Sequence, residues 1–129
     1  MKRSIWLLVL CALPAWTAAC GGGGGGGGEI IEPAVPEVVE VSLFDDRFNP
    51  DDLVVVVGTT VRWINDDEED HTVTSGIDNS DPDAGLFFDA PPLAPGDSFE
   101  VDFDDPGDFD YFCRFHVDLG MVGLVSVVP

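Results

Sequence analysis

Short apolar runs, and no long segment with the 3.6-residue period of an amphipathic helix, fill the chain after its first third. Residues 98–103 alternate polar and apolar positions, as a half-buried strand does, whereas residues 53–57 are continuously apolar. These patterns predict strands over 38–44, 53–57, 61–65, 71–75, 98–103 and 122–128, together with a strand that leads into Cys113.

Turn residues separate the predicted strands. Gly58-Thr59-Thr60 and Pro106-Gly107 are expected to be turns, and residues 76–97 are rich in Asp, Pro and Gly and read as a long connection. Short strands at this spacing predict an all-β sandwich. In the strand that leads into Cys113, alternation predicts one face of Phe109, Tyr111 and Cys113 and an opposite face of Asp108, Asp110 and Phe112.

The N-terminal 19 residues have the organisation of a signal peptide. Lys2 and Arg3 precede an apolar stretch over residues 5–15, and the small residues Thr17-Ala18-Ala19 follow it. The alternative is a membrane anchor helix, but the apolar stretch is shorter than the roughly 20 residues that span a bilayer. We therefore predict a signal peptide over residues 1–19.

Cys20 follows the small residues and is itself followed by eight glycines. This arrangement resembles a bacterial lipobox, with Thr17 where such boxes usually carry Leu. The resemblance implies a lipidated Cys20, a linker over residues 20–36 and a folded domain over 37–129. It also implies a periplasmic or cell-surface lipoprotein, anchored in the outer membrane because Gly21 and not Asp follows the cysteine. The alternative is ordinary secretion with cleavage nearby.

The predicted mature chain is strongly acidic. From Cys20 onward, three arginines face 25 acidic residues, a formal charge of −22. Nucleic acid is excluded as a partner, and contact with an anionic membrane is expected only through the lipid anchor. The charge suits a basic protein partner, and equally a surface adapted to salty surroundings. The run 66–70 contains five consecutive acids, which form either a solvated loop or a source of negative potential near the candidate site described next.

The soft donors of the chain are concentrated near its C-terminus. Apart from Cys20, the predicted mature chain has four of them, His71, Cys113, His116 and Met121, and three lie within nine residues. Singly, Cys113 reads as an inert buried thiol, His116 as a surface residue and Met121 as a core residue. Together, two imidazoles, a thiolate and a thioether make up the ligand set of a blue copper site. Zinc is the competing metal, although structural zinc sites rarely use methionine.

The domain resembles a cupredoxin of the plastocyanin and pseudoazurin kind. Five stretches carry the resemblance: 58–65 (GTTVRWIN), 71–73 (HTV), 93–99 (LAPGDSF), 105–113 (DPGDFDYFC) and the ligand loop 113–121 (CRFHVDLGM). The resemblance implies a Greek-key β-sandwich with one type 1 copper. It implies His71, Cys113 and His116 as equatorial ligands, Met121 as the axial ligand, and His116 at the solvent edge.

Two positions depart from the family pattern. Thr72 stands where many members have Asn directly after the upstream histidine, and its hydroxyl could brace the ligand loop less fully. Leu119 stands where pseudoazurin-like proteins often carry Met. These departures concern the reduction potential and not the choice of metal.

The expected function is one-electron transfer by a monomer that is not an enzyme, with a cytochrome or a copper oxidoreductase as partner. The alternatives are an extracytoplasmic copper-binding or delivery protein and a sandwich that has lost its metal. Phe115, Val117 and Leu119 surround His116 in sequence and are predicted to form the docking surface. The alternative is that some of them, Phe115 first, point into the core.

Overall fold

A computed structural model describes residues 36–129, so the predicted signal peptide, Cys20 and the glycine tract lie outside the described residues. The described residues form eight strands: β1 (Val38–Phe44), β2 (Arg47–Asn49), β3 (Asp52–Val56), β4 (Thr59–Asn65), β5 (Thr74–Ser75), β6 (Ser98–Phe103), β7 (Gly107–Phe112) and β8 (Val122–Val128). One short 3₁₀ turn, Val117–Leu119, precedes β8. Within residues 36–129, no helix is long and apolar enough to cross a membrane.

The strands form two four-stranded sheets, ordered β2-β1-β4-β6 and β3-β8-β7-β5. In each sheet one pair is parallel, β1 with β4 and β3 with β8, and the other neighbours are antiparallel. The predicted all-β sandwich is therefore confirmed. Among the candidate ligands, His71 lies between β4 and β5, and the other three lie between β7 and β8.

An aromatic cluster fills the space between the sheets. Trp63 of β4 is fully buried, and its ring centroid lies 5.4 Å from that of Tyr111 on β7. Phe48 packs edge-on against the other side of Tyr111 at 4.6 Å. Burial raises the pKa of Tyr111 to about 12, so its phenol stays neutral at working pH. This packed cluster fixes β7, and with it Cys113, against the facing sheet.

The structure departs from the predicted elements in several places, and Thr59 and Thr60, which were predicted to form a turn with Gly58, begin β4. β2 was not predicted, because three residues with one apolar position give no periodic signal. The predicted strand 71–75 shrinks to Thr74–Ser75, and His71 instead makes an isolated bridge to Leu93. Phe112 lies on the outer side of β7 as predicted, yet it is fully buried, with the Arg114 guanidinium 5.8 Å from its ring centroid.

Gly123 allows the Tyr111 ring to lie across strand β8. The two residues are direct partners in the antiparallel register, and a Cβ at position 123 would overlap the end of the Tyr111 ring. The ring cannot swing away, because Trp63 and Phe48 hold it from other sides. A side chain at position 123 therefore requires a shift of strand or ring.

We expect Gly123→Ala to lower the free energy of unfolding by about 1–3 kcal/mol through overpacking. Ser126→Ala, on the same strand, is the control and should stay within about 0.5 kcal/mol of the unmodified protein. Denaturant titration of both variants measures the difference. Equal stability of the two variants would show that the Tyr111 ring adjusts freely.

Candidate metal centre

Two separate chain segments supply the predicted ligands. His71 lies between β4 and β5, where two backbone hydrogen bonds with Leu93 hold it. The His71 N–H donates to the Leu93 carbonyl at 3.1 Å, and the Leu93 N–H donates to the His71 carbonyl at 2.8 Å. Cys113 directly follows β7, and the loop from Cys113 to β8 contains His116 and Met121. The structure thus brings together residues 42 positions apart at one end of the sandwich.

The donor atoms of His71, Cys113 and His116 face one another. The two Nδ1 atoms are 3.1 Å apart, and the Cys113 Sγ atom lies 3.8 Å from Nδ1 of His71 and 3.6 Å from Nδ1 of His116. His71, Cys113 and Met121 are fully buried, whereas the His116 side chain is 16% exposed. His116 is therefore the member of the group that reaches solvent.

Backbone hydrogen bonds close the ligand loop upon itself. The Cys113 N–H donates to the Met121 carbonyl at 3.0 Å, and the Met121 N–H donates to the His116 carbonyl at 3.2 Å. Gly120 adopts φ +85°, a left-handed conformation that favours glycine, where the 3₁₀ turn ends. The loop therefore presents its thiol, imidazole and thioether from one compact frame.

Thr72 joins the two segments. Its backbone N–H donates to the Cys113 Sγ atom at 3.4 Å, and its Oγ1 atom accepts the Arg114 N–H at 2.8 Å. Thr72 is almost fully buried. A threonine hydroxyl thus braces the ligand loop at the position where the sequence departs from the family pattern.

Acidic side chains approach the outer edges of both imidazoles. The His71 Nε2 atom lies 3.2 Å from the Asp67 carboxylate, and the His116 Nε2 atom lies 3.4 Å from the Glu69 carboxylate. Asp46, in the β1–β2 turn, lies 3.5 Å from Nδ1 of His116. Hydrogen bonds from the Glu68 backbone and from His71 lower the pKa of Asp67, so this carboxylate is anionic at neutral pH.

Sequence reasoning missed the individual roles of these acids. It treated 66–70 as one charge run, and the pattern gives no sign that Asp67 turns inward while its neighbours stay exposed. It also missed Asn65, which is buried at the end of β4. The Asn65 amide donates to the carbonyls of Glu69 and Leu93, and its oxygen accepts the Asp67 N–H. Asn65 therefore shapes the acidic loop.

Apolar side chains lie exposed beside His116. Leu119 is 69% exposed and Phe115 is 53% exposed, while Val117 is partly buried. The alternative that Phe115 points into the core is therefore wrong. Its ring lies edge-on to the His116 imidazole, with the centroids 6.3 Å apart.

The geometry fits a single soft metal ion. Separations of 3.1–3.8 Å suit nitrogen and sulfur atoms that each lie about 2.0–2.3 Å from one centre. The three grouped donors are two imidazole nitrogens and a thiol, and fully buried Met121 ends the same loop, which matches the residue types of a blue copper site. The donor set and its burial therefore fit copper.

Comparisons with known proteins agree with this geometry. Residues 39–128 match the sequence profile of copper-binding proteins of the plastocyanin/azurin family. Plastocyanin of Scenedesmus fuscus is 31% identical over 83 residues, which cover 62% of this chain and 85% of that protein. Chloroplastic plastocyanin of Tetradesmus obliquus is 34% identical over 85 residues, and there the match spans 57% of the relative.

A solved structure supports the same relationship. A purple cupredoxin from Nitrosopumilus maritimus superimposes with a TM-score of 0.60 at 34% identity, covering 69% of this chain and 98% of that one. The family match, the fold and the grouped donor residues all agree. This chain belongs to the plastocyanin/azurin family of copper-binding proteins, whose members are electron carriers rather than enzymes.

Proposed function

We propose that this protein is a one-electron carrier built on one type 1 copper. The observation that carries the proposal is the convergence of the His71 and His116 Nδ1 atoms and the Cys113 Sγ atom within 3.8 Å of one another. Met121, fully buried at the end of the same loop, would be the axial ligand. Copper held by this set would supply one-electron redox chemistry, because thiolate and thioether favour Cu(I) whereas imidazole suits Cu(II).

The surroundings of the ligands favour rapid exchange of electrons. Backbone hydrogen bonds hold Cys113, His116 and Met121, and the bridge to Leu93 holds His71, so little rearrangement should accompany a change of charge. Three of the four residues are closed to solvent, whereas the edge of His116 reaches the surface. His116 therefore offers the shortest path between the site and a partner.

Burial also argues against a copper-delivery protein. Handing copper to an acceptor requires that ligands of the acceptor reach the metal. His71, Cys113 and Met121 have no exposed surface, and only the edge of His116 is open. An electron can pass through an imidazole edge, but an ion would require the loop to open.

Cys113→Ser is expected to abolish the thiolate-to-copper absorption of the copper-loaded protein, because the charge-transfer donor is lost. Met121→Leu is the matched control: it should keep the colour and raise the reduction potential, since a weak Cu(II) donor is removed. Visible spectroscopy and redox titration measure both effects, and the band positions show whether the site is blue or, like the Nitrosopumilus relative, purple. Full colour in Cys113→Ser would overturn the ligand assignment.

The surface around His116 suits a transient redox partner. The exposed Phe115 ring lies edge-on to His116, and the acidic Asp46 and Glu69 lie within 3.5 Å of the same imidazole, so apolar and acidic groups both border His116. Such a surface suits a monomer that meets a redox protein with a basic rim, for instance a cytochrome or a copper oxidoreductase. Weak contacts of small area are typical of electron-transfer encounters.

We expect Leu119→Asp to slow electron exchange with a basic redox protein several-fold, because the apolar contact is broken. Leu86→Asp is a matched control: Leu86 is also 69% exposed but lies in the connection between β5 and β6. Both variants add one negative charge, so stopped-flow rates separate lost contact from added charge. Equal rates for the two variants would place the docking surface elsewhere.

We propose further that the protein is exported and held at the membrane by a lipid on Cys20. Thr17-Ala18-Ala19-Cys20 and the following glycine tract support the proposal. A random coil with the length of residues 21–36 would reach on the order of 20 Å. The domain would then begin near residue 37 and exchange electrons in the periplasm or at the cell surface, with the outer membrane as the expected anchor.

Cys20→Ala is expected to move the protein from the membrane fraction to the soluble extracytoplasmic fraction, because the lipid attachment point is lost. Cys11→Ala, within the predicted signal peptide, is the control and should leave the distribution unchanged. Cell fractionation and mass spectrometry of the mature N-terminus measure the outcome. An unmodified N-terminus in the unsubstituted protein would contradict lipidation.

A further inference from the structure

The Asp67 carboxylate makes three hydrogen bonds at the edge of the candidate metal centre. Its Oδ2 atom lies 3.2 Å from the His71 Nε2 atom and accepts the Asp45 N–H at 3.0 Å. Its Oδ1 atom accepts the Glu68 N–H at 2.8 Å. A carboxylate held by this many donors is fixed in position and not a freely rotating surface group.

The other acids of the run 66–70 are placed differently. The Asp67 side chain is 19% exposed, whereas the neighbouring Asp66 and Glu68 are exposed. Asp66 turns the other way and accepts a hydrogen bond from the Ser42 hydroxyl. Only Asp67, among the described acids, contacts the fully buried upstream imidazole at its Nε2 atom.

The β1–β2 turn donates a backbone hydrogen bond to Asp67. Asp45 and Asp46 both have positive φ, 55° and 53°, as the two central residues of a tight hairpin turn do. This conformation points the Asp45 N–H at the Asp67 carboxylate. Strand β1 is thereby connected to His71 through one side chain.

The contact decides which nitrogen of His71 is available as a ligand. A neutral imidazole carries one proton, and a ring that donates from Nε2 to a carboxylate leaves a lone pair on Nδ1. Nδ1 is the atom that faces Cys113 and His116. A carboxylate behind a ligating imidazole also makes that imidazole a stronger donor.

We propose that Asp67 is the positioning residue of the metal centre, which fixes the ligating tautomer of His71 and favours Cu(II) over Cu(I). The inference rests on the proposed function, since it concerns the potential of the copper couple. The negative charge lies one imidazole away from the ligand nitrogen and is partly buried. Its effect is therefore screened by salt much less than that of an exposed acid.

Asp67→Asn removes the charge and keeps an acceptor oxygen, and Asp66→Asn is the matched control, one residue away with the same loss of charge. We expect Asp67→Asn to lower the affinity for Cu(II) relative to Cu(I) about tenfold, which raises the potential by about 59 mV for a one-electron couple. The rise should persist at 1 M salt. The smaller rise in Asp66→Asn should vanish there, because the Debye length falls to about 3 Å.

A second pair of variants tests positioning without copper. Asp67→Ala removes both charge and acceptor, and Asp66→Ala is its control. In the metal-free protein, at a pH where the imidazoles are neutral, nitrogen-15 NMR reports the tautomer of His71. We expect the Nε2–H form to predominate in the unsubstituted protein, Asp67→Asn and Asp66→Ala, and to lose its predominance in Asp67→Ala. Zn(II) affinity should fall about tenfold in both Asp67 variants and in neither Asp66 variant, because Zn(II) is divalent like Cu(II).

Equal potentials of Asp67→Asn and Asp66→Asn at both salt concentrations would overturn the proposal, as would an unchanged tautomer in a folded Asp67→Ala. If Asp67→Ala does not fold, the comparison of the two asparagine variants decides. Failure of the proposed function is recognised separately, because the unsubstituted protein would then show no reversible copper couple. The tautomer and Zn(II) measurements would still report on the role of Asp67.

Discussion

Two hydrogen bonds made by Thr72 connect the segments on which the candidate metal centre depends. The upstream segment, between β4 and β5, carries His71, and the downstream loop, between β7 and β8, carries the other three donors. The Thr72 N–H meets the Cys113 sulfur, and its hydroxyl meets the Arg114 N–H. Because Thr72 is almost fully buried, breaking either bond would leave one of its polar groups without a partner, which costs on the order of 1–3 kcal/mol. The aromatic core below fixes the strands, and Thr72 fixes the ligand loop upon them.

A high negative charge and a buried cation site complement each other here. The acids are spread over the domain, but three of them, Asp46, Asp67 and Glu69, lie within 3.5 Å of imidazole nitrogens. A metal ion at the site would relieve part of the repulsion between these groups. Their degree of contact differs, since Asp67 is held by three donors while Glu69 is exposed. A carboxylate near an imidazole can therefore be a fixed part of the site, as Asp67 is, or an exposed surface group that solvent screens, as Glu69 is.

Much of the fold and the identity of the donor residues could be predicted from the sequence. Strands β1, β6 and β8 have the predicted bounds, because alternation and turn residues mark them clearly. The grouping of His71 with Cys113 could be predicted only because so few soft donors exist in the chain. The roles of Asp67 and Asn65 could not be predicted, since they depend on which way a five-acid loop folds. The direction of the Phe115 side chain could not be predicted for the same reason, because a loop residue belongs to no periodic pattern that would indicate its buried face.

The acids beside the imidazoles bear on both the reduction potential of the site and the rate of encounter with a redox partner. Negative charge near the site favours the oxidised ion and so lowers the potential, while the same charge attracts a basic partner and speeds encounter. Exposed Glu69 acts mainly on encounter, because solvent and salt screen it from the site. Partly buried Asp67 would act mainly on the potential, because it contacts His71 and has little exposed surface. Distributing the charge between a fixed inner acid and an exposed outer acid lets the potential and the encounter rate change independently of each other.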